Sequence, residues 1–156
     1  MRALRGIARA ITAGALAVAA GTIDAGGNVV TIMLQATPRN AGQIGRAFLI
    51  ARGSQTRVQI EVSGVPPQVS SRPVHLYTFI YEGTCDQRSA QPAFSLLDRV
   101  LAQSPASSAI VPAGGPFTIS NTAPVPLEKL RGEPHAIVVA TSPADGNMES
   151  FCGAVG

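Results

Sequence analysis

The stretch Gln43–Gly64, QIGRAFLIARGSQTRVQIEVSG, decides the fold because two strand-like runs flank a short turn. In the second run Val58, Ile60 and Val62 alternate with polar residues, so its apolar side chains all point to one side. This alternation indicates a strand with one buried face, which is typical of an antiparallel sheet. Residues 53–56 join the two runs, and the whole stretch is predicted to be a β-hairpin.

Short strands separated by turns continue along the rest of the chain. The strand-like runs are NVVTIMLQA (28–36), VHLYTFIYEG (74–83) and HAIVVATS (135–142). The run AFSLLDRVL (93–101) fits a strand or a short helix, because its periodicity does not decide between them. One helical turn is expected within 125–133. The absence of any long amphipathic pattern predicts an all-β Greek-key β-barrel or sandwich.

The N-terminus has the pattern of an export signal. Three arginines lie within MRALRGIAR (1–9), the uncharged apolar run AITAGALAVAA (10–20) follows, and small residues end it. The apolar run is too short to span a membrane as a helix. We therefore expect a signal peptide at 1–20, a single mature domain at 21–156 without a membrane span, and a periplasmic or extracellular location.

Removal of this leader changes the charge of the protein. The leader holds three of the 12 Lys and Arg residues and none of the 9 Asp and Glu residues, so the mature part has a formal net charge of zero. Nucleic-acid binding requires clustered Lys and Arg. The basic character of the full chain is therefore no evidence for a nucleic-acid partner.

Cys85 and Cys152 are the only cysteines, and both lie in the mature part. An exported chain meets an oxidising compartment, which favours a disulfide between them. Two free thiols are the alternative, and a metal pair would need a spacing unlike theirs.

Three segments, in order along the second half, carry a likeness to a known family. FIYEGTC (79–85) is a strand leading into a cysteine, AIVVA (136–140) is a late strand, and FCGAVG (151–156) ends the chain. Together they resemble the copper/zinc superoxide dismutase family, over about residues 58–156. The resemblance implies a Greek-key β-barrel and matches Cys85 and Cys152 to the family's disulfide.

The chain departs from that family at the positions of its metal ligands. The first two copper positions correspond to Phe79 and Tyr81, and the late-strand copper position corresponds to Ala140. No histidine occurs in 86–100, where the bridging and zinc histidines are expected. The arginine that guides the anion in the family corresponds to Glu149, which has the opposite charge. We therefore expect a superoxide dismutase-like pseudoenzyme without copper or zinc.

The histidine count leads to the same expectation. A copper site that cycles needs several converging imidazoles, and the chain has only His75 and His135. The simplest interpretation of His75 is a surface histidine. His135 follows Pro134 at the start of a strand, where a loop or edge position is expected.

One face of the strand 74–83 carries His75, Tyr77, Phe79 and Tyr81, and we refer to this set as the aromatic face. Two interpretations stay open. The loop 83–106 packs over the face as a second small core, or the face binds a protein partner or another copy of the chain.

These observations predict an exported, disulfide-linked domain that acts as a non-catalytic binding or structural module. The alternative is a divergent dismutase or a copper-handling protein with atypical ligands. Such a site would have to be assembled from His75, His135, Asp86, Asp98 and the methionines, Met33 and Met148 among them.

Overall fold

The computed structural model describes residues 27–103 and 115–156, and the leader predicted at 1–20 lies outside them. The described part is all-β apart from one short α-helix and two 3-10 turns. The strands are β1 Val29–Ala36, β2 Gly45–Arg52, β3 Gln55–Val62, β4 Leu76–Glu82, β5 Phe94–Leu96, β6 Phe117–Ala123, β7 His135–Thr141 and β8 Glu149–Val155, and the helix is α1 Leu127–Gly132.

The eight strands form one antiparallel, nearly closed barrel in the order β5-β4-β7-β8-β1-β2-β3-β6. The predicted hairpin is confirmed: β2 and β3 pair from Gly45↔Val62 to Arg52↔Gln55. Gly53 in the connecting turn has φ +64°, a conformation that glycine adopts without steric cost. The two halves of the barrel meet where β1 pairs briefly with β8, at Gln35↔Cys152 and Ala36↔Phe151.

The segment 97–103, which follows β5, brings the two ends of the sheet together. Beside β4, Leu76 N–H donates to the Val100 carbonyl at 2.7 Å. Beside β6, Gln103 and Thr118 exchange a pair of backbone hydrogen bonds at 2.9 and 2.8 Å. The run 93–101, for which strand and helix were both considered, is therefore a three-residue strand followed by an extended bridging segment.

The core lies inside the barrel and follows the predicted alternation. On β4, Leu76, Thr78 and Ile80 are buried while the residues between them are half-buried. Strand β7 differs, because all of its residues are buried. Burial on both faces means that side chains from other elements also cover β7 on the outside of the barrel.

Helix α1 covers one end of the barrel. Leu127 and Leu130, three residues apart, are its buried side chains, and they join the core. The single helical turn expected within 125–133 is confirmed. In the described ranges, no helix is long and apolar enough to cross a membrane.

Candidate functional site

The aromatic face lies on the outside of the barrel, where β4 pairs with β7. Tyr77, Phe79 and Tyr81 are half-buried and lie opposite Ala140, Val138 and Ala136 of β7, in that order. The larger side chains of β4 thus stand beside small ones on β7. The rings of Phe79 and Tyr81 are 6.4 Å apart between centroids and tilted by 55°, a favourable arrangement for two aromatic rings.

His75, the fourth residue of the aromatic face, precedes β4 and is half-buried. Its backbone forms an isolated bridge with Leu101 in the bridging segment. It therefore lies at the end of the face where 97–103 crosses β4.

The predicted disulfide between Cys85 and Cys152 is confirmed. Cys152 lies on β8 opposite Val138 of β7, while Cys85 lies in the loop that follows β4. The two sulfurs form a small apolar cluster with Ala136, Val138 and Tyr81, separate from the main core. The disulfide therefore fixes the loop after β4 against the outside of β7 and β8.

This loop folds back over Tyr81 through a tight turn. Gly83 has φ +97°, and Thr84 N–H donates to the Gln87 carbonyl at 3.0 Å. The turn places Arg88 with its guanidinium carbon 5.0 Å from the centroid of the Tyr81 ring, in cation–π geometry. The loop thus covers one end of the aromatic face.

Arg88 also forms an ion pair with Glu149 at the start of β8. Glu149 lies opposite Ala140 in the β7–β8 pairing, beside an irregularity in the register. The pair spans the outer surface of β7 from the loop to β8. The charge of Glu149 is therefore balanced by an arginine from another part of the chain, a contact that the sequence analysis missed.

The four positions singled out by the resemblance lie on one continuous surface. Phe79 and Tyr81 are neighbours on β4, and Ala140 and Glu149 lie on β7 and β8 beside them. The loop places Arg88 over the Tyr81 ring, and Tyr77, Phe79 and Tyr81 are all half-buried. Elements of both interpretations are present, a small packed cluster at one end and partly exposed aromatics at the other.

The side chains on this surface do not fit a copper ion. Phenyl, methyl and isopropyl groups have no lone pair to donate, and the sulfur of Cys152 is held in the disulfide. The oxygen donors here are the Tyr77 and Tyr81 phenols and the Glu149 carboxylate; the Arg88 cation lies over the Tyr81 ring and is also paired with Glu149. His75 lies at one end of this face, and residues 27–103 and 115–156 contain no group of three or more His, Cys, Asp or Glu that could hold a metal.

The methionines named in the alternative lie on separate elements. Met33 is exposed on β1 opposite Arg46, whereas Met148 precedes β8 and packs against the main core. Neither is part of the aromatic face that begins at His75.

A loop or edge position was expected for His135, and this expectation is wrong. His135 is the buried first residue of β7. It pairs with Glu82 of β4 and Val155 of β8, so strands lie on both sides of it. Its ring Nδ1 is 2.9 Å from the Glu133 carbonyl and 3.2 Å from that of Leu130. These contacts depend on the fold of α1 and the turn after it, which a local pattern does not reveal.

Comparison of the chain with protein-family models, with curated proteins and with solved structures finds no match to any of them.

Proposed function

We propose that the chain is an exported, disulfide-linked barrel of the copper/zinc superoxide dismutase type that has no metal site and works as a non-catalytic binding module. The aromatic face on β4 is its binding surface. The compartment is the periplasm or the extracellular space, where the Cys85–Cys152 bond persists.

The order of the strands supports this type of barrel. β3 lies beside β6 and β4 lies beside β7, so the chain leaves one half of the barrel and later returns to it. Such returns are the feature of Greek-key connections. The likeness of FCGAVG also falls on β8, next to the strand that carries AIVVA, and both belong to the half that includes β4.

The partly exposed aromatics of β4 are the observation that carries the binding function. Tyr77 and Phe79 stand on a strand paired on both sides, so the backbone beneath them is fixed before a partner arrives. Arg88 and Glu149 supply charged groups on the same surface. Aromatic residues with arginine are enriched at the centres of protein interfaces, where they provide most of the binding energy.

Metal analysis tests the absence of a metal site. The mature chain is purified from an exporting host, and its copper and zinc are measured per mole of protein. We expect far less than one equivalent of either metal, and dismutase activity after copper loading no higher than that of free copper. Stoichiometric metal, or activity lost in His75→Ala or His135→Ala, would instead establish the divergent dismutase or copper-handling protein.

Photo-crosslinking from the face tests the binding function. Benzoylphenylalanine is introduced at Phe79 and, in a control, at Phe48 of β2. Phe48 is also half-buried on an outer surface, with the Arg46 guanidinium 5.7 Å from its ring. In exporting cells, we expect a discrete adduct from position 79 that position 48 does not give.

A substitution on the same face completes that test. Tyr77→Ser should abolish the adduct at position 79 without changing the thermal stability by more than a few degrees. An adduct between two copies of the chain would identify self-association. Identical adduct patterns from positions 79 and 48 would refute a binding role for the face.

A further inference from the structure

A second site lies away from the aromatic face, at the end of the barrel that α1 covers. It is a cleft of about 470 Å³ between the end of β4, the start of β5 and the helix. Ligand pockets in proteins commonly have volumes of about 300–1,000 Å³. The cleft is therefore large enough to hold a small organic molecule.

His135 is one of the residues that line this cleft. The residue is only 7% exposed, and its Nδ1 points at the carbonyls of Glu133 and Leu130. Since carbonyl oxygens only accept, the neutral ring carries its proton on Nδ1 and presents Nε2 as an acceptor. Within the residues that the structure describes, both hydrogen-bond contacts of this ring are made by Nδ1, which leaves Nε2 available as an acceptor.

The charges around the cleft are predominantly negative. Glu82, Glu128 and Glu133 line it, whereas Lys129 is its one cationic side chain. None of these four takes part in the ion pairs found within 27–103 and 115–156, which join Arg46 to Glu61 and Arg88 to Glu149. The lining thus presents carboxylates and an imidazole acceptor that favour a cation with N–H groups.

One wall of the cleft is apolar. Phe94 at the start of β5 and Val125 before α1 form it, together with Ala93. An ammonium group alone would leave this wall in water, whereas a hydrocarbon stem attached to it would cover the wall. The lining therefore suits an amphipathic amine better than an inorganic ion.

We propose that this cleft binds a primary amine carried on a hydrocarbon stem. The ammonium group donates to His135 Nε2 and to the surrounding carboxylates, and the stem packs against Phe94 and Val125. The site is independent of the binding module proposed above, since the β7 residues beneath the aromatic face point to the outside of the barrel while His135 lies at its end.

Titration of the mature, oxidised chain with hexylamine tests the site, with 1-hexanol as the uncharged control of the same stem. Binding is followed by backbone amide chemical shifts. We expect saturable shifts confined to 82, 93–94 and 125–135, with a dissociation constant in the millimolar range that such a small ligand allows. We expect no saturable change with 1-hexanol.

His135→Asn separates the role of Nε2 from that of Nδ1. The asparagine amide can still donate to the Glu133 carbonyl, but the variant has no atom in place of Nε2. Loss of one charge-assisted hydrogen bond should weaken hexylamine binding by about tenfold or more. Glu128→Gln, at an exposed position of α1, should weaken it several-fold without affecting the fold.

Three results would overturn the proposal. They are no saturable hexylamine binding, equal responses to hexylamine and 1-hexanol, or wild-type affinity in a folded His135→Asn variant. If His135→Asn does not fold, Glu128→Gln decides, because unchanged affinity in that variant excludes an ammonium site in the cleft.

Discussion

At Gly153 the interior of the barrel has no room for a side chain. A Cβ atom there would lie 2.6 Å from Leu34 Cδ2 and 2.9 Å from Ile32 Cγ2, both on β1. Contacts this short require the Leu34 and Ile32 side chains to shift, and the Met33 carbonyl oxygen, a backbone atom, lies 3.0 Å from the same Cβ. Packing between the two halves of the barrel therefore favours glycine at this position of FCGAVG.

We predict that Gly153→Ala lowers the free energy of unfolding by about 2 kcal/mol, as overpacking of a dense core commonly does. Gly132→Ala is the matched control, since no atom lies within 4 Å of its added Cβ. The control should be neutral or stabilising by up to about 1 kcal/mol, because alanine favours the helix. Urea denaturation of the three proteins measures both values, and equal stabilities would contradict the packing account.

The two arginine–aromatic–glutamate groups provide a second test at single residues. The Arg88 side chain is 25% exposed above Tyr81, whereas that of Arg46 is 56% exposed beside Phe48. Less exposure means less screening by solvent. Double-mutant cycles with Arg→Met and Glu→Gln should give a coupling of about 1 kcal/mol for Arg88–Glu149 and less than about 0.5 kcal/mol for Arg46–Glu61. A larger coupling energy for Arg46–Glu61 than for Arg88–Glu149 would show that the Arg88 pair is not held in place.

The residues differ in how far sequence reasoning could place them. The alternation of Tyr77, Phe79 and Tyr81 follows from strand geometry and is local, so their common face could be predicted. Arg88 and Glu149 are 61 positions apart in the sequence. Their contact requires the turn after Gly83 and the disulfide that holds this loop against β8. His135 contacts the end of α1 and the turn after it, and the periodicity of apolar residues does not indicate these contacts.

Among the elements, the bridging segment 97–103 is held by a side chain of β6 as well as by backbone hydrogen bonds. Asn121 is 5% exposed; its amide N–H donates to the Arg99 carbonyl at 2.8 Å, and its Oδ1 accepts from Arg99 N–H at 2.9 Å. This side chain replaces a pair of backbone hydrogen bonds between strands. Periodicity could not assign 93–101 because its conformation is set by this partner and by β4.

We predict that Asn121→Ala destabilises the protein by about 2 kcal/mol, since both backbone groups of Arg99 lose their partners. Hydrogen exchange gives a more specific reading. The Arg99 amide should exchange much faster in the variant, whereas amides in the β2–β3 hairpin should change only with global stability. Unchanged protection at Arg99 would contradict the assigned role of Asn121.

The loop 65–73 is attached to the turn between β7 and β8 by Asp145. Its Oδ1 accepts from the N–H groups of Ser70 and Ser71, both at 3.1 Å, and from the Ser71 hydroxyl at 2.9 Å. Desolvation by itself raises the pKa of Asp145, but these bonds and one from the Ser142 hydroxyl hold that pKa below its ordinary value of 3.8. A depressed pKa means that the ionised carboxylate stabilises the folded state.

This stabilisation is present at neutral pH and is lost as the pH falls below the ordinary value and through the folded pKa. Asp145→Asn should therefore lower the melting temperature near neutral pH and reduce the decline of that temperature on acidification. Melting curves of the wild type and Asp145→Asn between about pH 7 and about pH 2 test the direction of both changes in melting temperature. A variant with the same acid decline as the wild type would exclude Asp145 as its source.

For the whole molecule, the disulfide closes a loop across 67 positions. Constraint of the unfolded chain by a loop of this length contributes about 4 kcal/mol in the chain-entropy model. We predict that Cys85→Ser/Cys152→Ser loses about this amount in urea denaturation. Mass spectrometry of the native protein purified from an exporting host should find no alkylatable thiol, and finding two would refute the bond.

The sequence predicts the all-β class of the whole molecule, but it does not predict which strands are neighbours in the barrel. Alternation in 57–64 and the apolar run 135–142 required strands, and the frequent turns required antiparallel pairing. The neighbours β3–β6 and β4–β7 could not be predicted from the strand patterns. The reason is physical, because a strand pattern specifies which face is buried but carries no label for its partner.

The closure of the barrel by 97–103 also limits how this protein can recognise another chain. At Thr118 of β6 and at Leu76 of β4, backbone groups that face the gap are already bonded to 100–103. On the same edge of β6, the Asn121 side chain is hydrogen-bonded to the backbone N–H and carbonyl of Arg99. An incoming peptide would find few backbone donors and acceptors here for adding itself as a ninth strand. If the binding proposed for the outside of β4 takes place, it would depend on side chains, and its specificity should change with single substitutions there rather than with the backbone of β6 or of 97–103.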